Sequence, residues 1–333
     1  MRTLVTGGAG YVGSVSVRAL LDAGHEVVVL DSLERGRREA VDGRAELVVG
    51  DVGDRDAVRE ALCCCDAVLH CAGYIDVAES VRSPDIYFEN NARKPLVLLS
   101  QMREAGIDAI VFSSTAAVYG EPELTPIDED APLRPVNPYG ESKKAFEAAL
   151  GEASQEWGLR AVVLRYFNVA GAWPDGSLGE AHDPETHLIP RVLHALRDGI
   201  REFEVYGHDY PTPDGTCVRD YIHVCDLADA HRAGLERLMR GGSGCICNLG
   251  SGAGYTNLQV VAMCGQVTGQ EIRVRFGPRR AGDPAVLVAS WERARRELGW
   301  RARRSDLATI VRDAWAWERG GRFGQRDGMR RGG

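Results

Sequence analysis

The sequence contains no apolar run that approaches the ~20 residues a helix needs to cross a membrane. It has no surplus of basic residues either, since 40 Lys and Arg stand against 48 Asp and Glu and give a formal net charge of −8. These absences argue against a membrane protein and against bulk attraction to nucleic acid or to an anionic membrane. An anionic ligand would therefore need arginines placed at its own site.

The cysteine pattern of a secreted or zinc-binding protein is also missing. Nine cysteines are scattered along the chain, and no CxxC pair or histidine cluster accompanies the run Cys63–Cys65 to complete a tetrahedral site. We therefore expect reduced thiols that pack like small apolar residues, and no metal. The first apparent strand begins at Arg2, which leaves no room for a signal peptide, so we expect a cytoplasmic protein.

Short apolar runs alternate with helical patterns in the first half of the chain. Examples are Val27–Leu30, Leu47–Val49, Ala67–His70 and Ala109–Phe112. Near-continuous apolar strands between helices are typical of a parallel sheet covered on both faces. We predict an α/β fold with a Rossmann-type doubly wound parallel sheet and a smaller C-terminal α+β substrate lobe.

The predicted organisation has three parts. A Rossmann-type domain is predicted at 1–167, and a return segment near 217–250 is expected to pack on it. Residues 168–320 mainly form the substrate lobe. Residues 321–333 are rich in Gly and Arg and are predicted to be a flexible tail.

A glycine turn follows the first strand at Thr6–Ser14. It matches GxGxxG through Gly8, Gly10 and Gly13, and also GxxGxxG through Gly7, Gly10 and Gly13. Glycines between a strand and a helix let the backbone approach a pyrophosphate, which then lies at the helix N-terminus. The turn predicts a dinucleotide site.

Acidic residues at the next two strand ends predict which dinucleotide binds. Asp31 is placed to bind the adenosine ribose 2′-OH, and its carboxylate repels a 2′-phosphate, which favours NAD over NADP. The nearby Arg35, Arg37 and Arg38 keep NADP as an alternative. Asp51 either accepts a hydrogen bond from the adenine amino group or caps a helix predicted to run from Asp54 to Leu62.

The candidate catalytic residues lie further along the chain. Tyr139 and Lys143 are four residues apart, so both lie on one face of a helix, where the ammonium stabilises a phenolate. By itself this pair is also compatible with a solvated helix face. The run Phe112–Gly120 ends the fifth strand in hydroxyls, and ligands bind at such strand ends.

Several motifs together resemble the extended short-chain dehydrogenase/reductases and, within them, the UDP-glucose 4-epimerases. The general motifs are Thr6–Ser14, His70–Ser80, Phe112–Gly120, Asn137–Lys143 and Arg165–Asn168. Those of the narrower group are His187–Pro190, Asp209–Val224, Arg279–Asp283 and Asp313–Trp317. The resemblance extends from about Met1 to Trp317.

The resemblance implies C4 epimerisation of a UDP-hexose, with UDP-galactose converted to UDP-glucose. Tyr139 as phenolate would remove the proton of the sugar 4-OH while NAD takes hydride from C4. The 4-keto sugar would then turn over and accept the hydride on its other face. Lys143 would lower the pKa of Tyr139 and bind the nicotinamide ribose, and Thr115 would bond to the 4-oxygen.

The resemblance also implies two binding sets. The NAD set comprises Gly7, Gly10, Tyr11, Val12, Gly13, Asp31, Ser32, Asp51, Val52, Cys71, Ala72, Asn90, Ser113, Tyr139, Lys143, Tyr166 and Phe167. The set for the UDP-sugar comprises Thr115, Asn168, His187, Leu188, Tyr206, Arg219, Arg280, Asp283 and Leu287. It further suggests a homodimer formed through helices around Pro84–Glu104 and Tyr139–Trp157.

Alternatives to this function remain open. Related dehydratases carry an acid and base pair where this chain has Ala116 and Ala117, which cannot move protons, so elimination is disfavoured. Another substrate such as UDP-N-acetylglucosamine, UDP-glucuronate or UDP-xylose remains possible, because Leu287 is of intermediate size. A non-catalytic NAD-binding sensor is the other alternative, although such a protein has no use for Tyr139 and Lys143.

Overall fold

The computed structural model describes residues 1–280, 283–320 and 323. The strands are β1 (Arg2–Thr6), β2 (Glu26–Asp31), β3 (Glu46–Val49), β4 (Ala67–His70), β5 (Ala109–Thr115), β6 (Arg160–Tyr166), β7 (Asn168–Ala170), β8 (Glu202–Tyr206), β9 (Val218–His223), β10 (Cys245–Leu249), β11 (Gly254–Thr256), β12 (Arg273–Gly277) and β13 (Val286–Leu287). Each of the strand runs predicted in the first half is present.

The helices alternate with these strands. They are α1 (Tyr11–Asp22), α2 (Arg55–Ala61), α3 (Val77–Arg82), α4 (Pro84–Phe88), α5 (Lys94–Ala105), α6 (Pro138–Trp157), α7 (Leu188–Arg197), α8 (Val224–Met239), α9 (Asn257–Thr268), α10 (Glu292–Leu298) and α11 (Leu307–Gly320). Among the described residues, no helix is both long enough and apolar enough to span a bilayer.

Seven parallel strands form the large sheet in the order β3-β2-β1-β4-β5-β6-β10. The chain order reverses between β1 and β4, which makes the carboxyl ends of these strands the switch point where ligands bind in such sheets. The predicted Rossmann-type doubly wound sheet is confirmed.

Two apolar clusters cover the two faces of the large sheet. On one face Leu4 and Ile110 pack with Leu98 of α5 and Phe146 of α6. The other face packs against α1 and α8, through residues that include Leu20 and Leu227. Burial on both faces explains why the strands read as continuous apolar runs rather than as alternating patterns.

The second lobe is built around β9. This strand pairs with β7 and β13 in parallel and with β11 in antiparallel orientation. A separate parallel pair joins β8 to β12, and α7, α9 and α11 contribute to one apolar core beside these strands. The mixed strand directions and the helices make this the α+β lobe expected from the sequence.

The chain crosses between the two parts more than once. Strand β10 lies beside β6 in the large sheet, and α8 contributes to the same apolar cluster as α1, whereas β9 belongs to the second lobe. Residues near 217–250 thus divide between the two parts. The predicted tail at 321–333 lies outside the described residues, apart from Phe323.

Candidate active site

The glycine turn after β1 has a shape that side chains would prevent. Gly7 has φ of +71°, and a Cβ added there would lie 2.6 Å from the backbone nitrogen of Ala72. A Cβ on Gly13 would lie 2.1 Å from the carbonyl oxygen of Gly7. These two glycines therefore bring the turn, the start of α1 and the end of β4 into backbone contact.

The N-terminus of α1 fits the pyrophosphate of a dinucleotide. Gly10 is its N-cap residue and provides no side-chain cap, and the first turn carries no acidic residue. The Tyr11 hydroxyl points away from this helix end and donates a hydrogen bond to the Gly171 carbonyl at 2.6 Å. The backbone N–H groups at Tyr11, Val12 and Gly13 and the helix dipole thus favour an anion.

Asp31 is held against the glycine turn. Its carboxylate accepts hydrogen bonds from the backbone N–H of Ala9 at 2.9 Å and of Leu33 at 2.9 Å, and the residue is buried. The neighbouring Ser32 is exposed. This geometry fixes a carboxylate at the strand end predicted to face the adenosine ribose.

The three arginines that kept NADP as an alternative have different surroundings. Arg35 makes two hydrogen bonds to the Glu79 carboxylate, both 2.9 Å, and its guanidinium lies 3.7 Å from the Tyr74 ring centroid. Arg37 and Arg38 are exposed. Because Arg35 is engaged by a carboxylate and a ring, it offers little to a 2′-phosphate, and the arrangement fits NAD.

Asp51 is paired rather than capping a helix. Its carboxylate lies 2.6 Å from the Lys94 ammonium and accepts from the Gly53 N–H at 2.7 Å. The cap of α2 is Asp54, which accepts from the Asp56 N–H at 2.9 Å, so the capping alternative for Asp51 is wrong. The Val52 side chain is buried in the sheet core, which leaves only its backbone for a ligand.

The start of α6 fits closely against the loop after β5. The Asn137 side chain accepts from the Gly140 N–H at 2.9 Å and so caps the helix, with Pro138 at its first position. A Cβ on Gly140 would lie 2.6 Å from the Ala117 carbonyl oxygen. Glycine at this position therefore lets Tyr139 come close to Thr115.

The Tyr139 and Lys143 side chains are both buried. The Lys143 ammonium donates to the Ser113 carbonyl at 3.0 Å, and burial lowers the pKa of Lys143 to about 8. Burial raises the pKa of Tyr139, and its hydrogen bond to the Thr115 hydroxyl opposes that rise. In the chain alone the pKa of Tyr139 is thus raised, opposite to the expected direction, because desolvation of the phenolate dominates.

Of the two adjacent asparagines, Asn91 faces inward. It lies in a π-helical turn at Glu89–Arg93, accepts from the Tyr74 N–H at 2.8 Å and donates to the Ser142 hydroxyl at 3.1 Å. Asn90, the residue selected for NAD, is half-buried beside it. Asn91 thus ties the loop after β4 to α6, and the sequence did not indicate this role.

A buried hydrogen-bond chain links α1 to β5. His231 of α8 contacts the Ser16 hydroxyl at 3.0 Å and the Ser113 hydroxyl at 2.8 Å, and Ser113 also contacts the Cys71 thiol at 3.2 Å. Burial lowers the pKa of His231 to about 3. A neutral imidazole therefore connects α1 to the strand that carries Thr115, and nothing in the sequence pattern around His231 indicated this.

A buried ion pair joins α6 to the large sheet. Glu147, one turn after Lys143, accepts from Arg165 of β6 at 2.6 Å and from the Ser114 hydroxyl at 2.5 Å. Arg165 also donates to the Tyr119 hydroxyl at 2.9 Å. These contacts fix α6 to β5 and β6 below the site.

The predicted UDP-sugar residues assemble in the second lobe. The Arg219 guanidinium, on β9, lies 3.5 Å from the Asp283 carboxylate. Arg219 is also the residue of β9 that pairs with Leu287 of β13. Leu287 packs against the apolar cluster that contains Ala116 and Phe167. The lobe is thereby joined to the loop that follows Thr115.

The two adjacent arginines near 280 have different surroundings. Arg279 pairs with Asp209 at 2.6 Å and lies over the Tyr210 ring. The guanidinium of Arg280 lies 4.3 Å from the Tyr206 ring centroid. Tyr206 and Arg280, both selected for the UDP-sugar, therefore adjoin one another.

The remaining selected residues border the junction of the two parts. Tyr166 ends β6, Asn168 begins β7 and Leu188 begins α7. Burial raises the pKa of Tyr166 well above its ordinary value. His187 is the N-cap residue of α7, but its side chain makes no capping hydrogen bond. Its Nδ1 lies 2.7 Å from the Glu180 carboxylate instead.

Comparison with known proteins places the chain in a family. The model of the NAD dependent epimerase/dehydratase family matches residues 3–250. The chain belongs to this family. The resemblance drawn from the sequence is therefore confirmed, as is NAD as the expected cofactor.

Individual members of the epimerase/dehydratase family match over nearly their full length. A UDP-glucose 4-epimerase of Lacticaseibacillus casei is 49% identical over 95% of this chain and 96% of its own. A Brucella ovis UDP-glucose 4-epimerase solved with NAD is 43% identical, with a TM-score of 0.91 over 94% of this chain and 97% of its own. The Bifidobacterium longum enzyme solved with NAD+ and UDP is 35% identical, with a TM-score of 0.90 over 96% and 98%.

Proposed function

We propose that this protein is a UDP-glucose 4-epimerase that converts UDP-galactose to UDP-glucose with NAD. The observation that carries the proposal is the buried group at the start of α6, where Tyr139 adjoins Thr115 and Lys143 lies one turn later. A protein that only binds NAD has no use for this base. Near-full-length similarity to UDP-glucose 4-epimerases supports the same activity.

In the proposed reaction Tyr139 removes the proton of the sugar 4-OH and later returns one to the 4-oxygen. NAD supplies the hydride acceptor and donor at C4. The Thr115 hydroxyl bonds to the 4-oxygen, and Lys143 adds the positive charge that favours the phenolate. No other proton transfer is needed, which agrees with Ala116 and Ala117 in the turn after Thr115.

The binding residues are proposed on the geometry of the two clefts. The open N-terminus of α1 and the Asp31 carboxylate hold NAD. Arg219 and Arg280 neutralise the diphosphate of the UDP-sugar, Tyr206 packs on uracil and Asp283 accepts from ribose hydroxyls. Since the Asp51 carboxylate is paired with Lys94, an adenine amino group would have to share it.

The two parts of the protein are proposed as the sequence predicts them, with one change at their boundary. The NAD-binding part consists of residues 1–167 together with α8 and β10, which lie on or in the large sheet. The substrate lobe consists of the rest of 168–320.

The decisive experiment incubates purified protein with UDP-galactose and no added NAD. We expect UDP-glucose to form, because NAD is regenerated in each cycle and can remain bound. UDP-N-acetylgalactosamine, UDP-glucuronate and UDP-xylose are tested in parallel. If UDP-galactose is inert while one of these reacts, the substrate is wrong but the chemistry stands; if none reacts, the proposal of an epimerase fails.

We also propose a homodimer formed through α3–α6. Val77, Val81, Ile86 and Leu96 on α3, α4 and α5 are between 45% and 63% exposed, which is unusual for so many large apolar side chains on neighbouring helices. Light scattering after gel filtration should give twice the chain mass. Ile86→Glu should yield monomers, whereas Leu124→Glu at another exposed apolar site should not; a native monomer would contradict the proposal.

A cytoplasmic location is the last part of the proposal. All nine cysteines are free thiols, including the exposed Cys63 and Cys64, which suits a reducing compartment. Cell fractionation with antibody detection tests this, and recovery in the membrane or secreted fraction would contradict it.

A further inference from the structure

Four side chains converge in the segment between β7 and α7. They are Glu180, His182, Glu185 and His187, and one ligand-type atom from each lies within 4.8 Å of the other three. The Glu180 Oε1 atom is 2.9 Å from His182 Nδ1 and 2.7 Å from His187 Nδ1, and Glu185 Oε1 is 3.2 Å from His187 Nδ1. All four thus direct nitrogen or oxygen atoms into one small volume.

One carboxylate oxygen in this group has no hydrogen-bond partner among the described residues. The Glu185 side chain is only 6% exposed, and its Oε2 receives no hydrogen bond from any described residue. The His182 Nδ1 atom lies 3.9 Å from this oxygen, which is too far for a hydrogen bond. Leaving a buried carboxylate oxygen unsatisfied costs about 1–3 kcal/mol or more, so this oxygen favours a cation beside it.

Hydrogen bonds among the four residues do not remove this defect. Each Nδ1 carries at most one proton, and the Glu180 Oε1 atom lies closest to both imidazoles. Even with both histidines charged, Glu185 Oε2 remains outside hydrogen-bonding distance. A cation between the four atoms would contact both carboxylates and both imidazoles at once.

We propose that Glu180, His182, Glu185 and His187 bind one divalent transition-metal ion. Ligands that surround such an ion at about 2.0–2.2 Å lie roughly 3–4 Å from each other, and the distances here approach that spacing. Imidazole nitrogens and carboxylate oxygens are ligands suited to Zn²⁺, Co²⁺ and Mn²⁺. A cavity of about 320 Å³, lined by residues that include His182 and Glu185, gives an ion access to the site.

The position of the ion suggests what it does. The His182 ring lies edge-on to the Tyr11 ring with centroids 6.4 Å apart, and Tyr11 begins α1 directly after the glycine turn. His187 precedes Leu188, the first residue of α7. The ion would therefore hold the segment 180–187 between the two ligand sites, and it takes no part in the proposed proton and hydride transfers.

Metal binding by the full-length protein with its bound NAD tests the proposal. Tag-free protein is treated with chelator, titrated with Zn²⁺, Co²⁺ and Mn²⁺, and analysed for bound metal by mass spectrometry. We expect about one ion per chain for at least one of these metals. His182→Gln and Glu185→Gln should each weaken binding at least about 10-fold.

His25→Gln serves as the matched control, because His25 also approaches a carboxylate, Glu236 at 4.0 Å, but belongs to no cluster of metal-ligand side chains among the described residues. It should bind metal as the native chain does. Circular dichroism and NAD content establish that the variants fold. If His182→Gln does not fold, Glu185→Gln alone tests the proposal. Absence of stoichiometric binding in the native chain, or native binding in a folded variant, overturns the proposal.

Discussion

Lys143 Nζ and the Ser113 carbonyl oxygen lie 3.0 Å apart, which ties α6 to the strand that ends in Thr115. The contact crosses from a helix to the sheet and holds the ammonium within the buried site. The charge is therefore fixed before any ligand arrives. Its consequences for acid-base behaviour can be measured directly.

Replacing Tyr139 with phenylalanine should reduce kcat by at least about 100-fold, because it removes the group that moves the 4-OH proton. NAD content should remain near that of the native protein, since the ring and its packing are retained. Coupled detection of UDP-glucose provides the rate.

Tyr255→Phe is the matched control for this change, because Tyr255 lies in β11 and has no place in the proposed chemistry. It should retain the native rate. Near-native turnover by the Tyr139→Phe variant would show that another group is the base.

The lowered pKa of Lys143 predicts a pH-dependent stability difference in NAD-free protein. The side chain binds its proton less readily when folded, with a pKa of about 8 against 10.5 when unfolded. The unfolded chain thus binds more protons between these values, and stability rises with pH there. Relative to Lys143→Met, the native free energy of unfolding should increase by about 3 kcal/mol at most between pH 8 and 10.5.

Urea denaturation of both proteins across this range provides the measurement. The comparison removes the contributions of other titrating groups that the two proteins share. If the difference in the free energy of unfolding between the two proteins stays constant from pH 8 to 10.5, burial does not perturb the pKa of Lys143.

Asp31→Asn should weaken NAD binding about 10- to 100-fold and reduce the preference of the protein for NAD over NADP. The carboxylate both accepts from ribose hydroxyls and repels a 2′-phosphate, and an amide of the same size does neither as well. Fluorescence titration of NAD-free protein with each dinucleotide gives both affinities. Asp56→Asn, at an exposed aspartate of α2, should leave them unchanged; an unaltered preference in Asp31→Asn would place the ribose elsewhere.

Removing only one partner of the buried pair Arg165 and Glu147 should strongly destabilise the protein. Their side chains are 3% and 6% exposed, so Arg165→Met leaves an uncompensated buried carboxylate. We expect a loss of about 3–5 kcal/mol in the free energy of unfolding.

Arg59→Met supplies the comparison for that loss, because Arg59 and Asp56 form an exposed pair one turn apart on α2. Its effect should stay within about 0.5 kcal/mol. Equal losses in the two variants would contradict the view that desolvation sets the cost.

The sequence alone determined the features that depend on neighbouring residues. The glycine turn at Thr6–Ser14, the apolar strands and the four-residue spacing of Tyr139 and Lys143 are local patterns with local physical causes. They were sufficient for the Rossmann-type sheet, the NAD cofactor and the family.

Only the tertiary structure decided which of several similar residues faces a site. It turned Asn91 inward through a hydrogen bond to Ser142, which is 51 positions away, and it gave Arg279 and Arg280 different partners. It also brought the segment 180–187 into a cluster whose spacing matches no regular metal motif. These outcomes depend on packing between distant segments and on desolvation, and neither is encoded in the order of neighbouring residues.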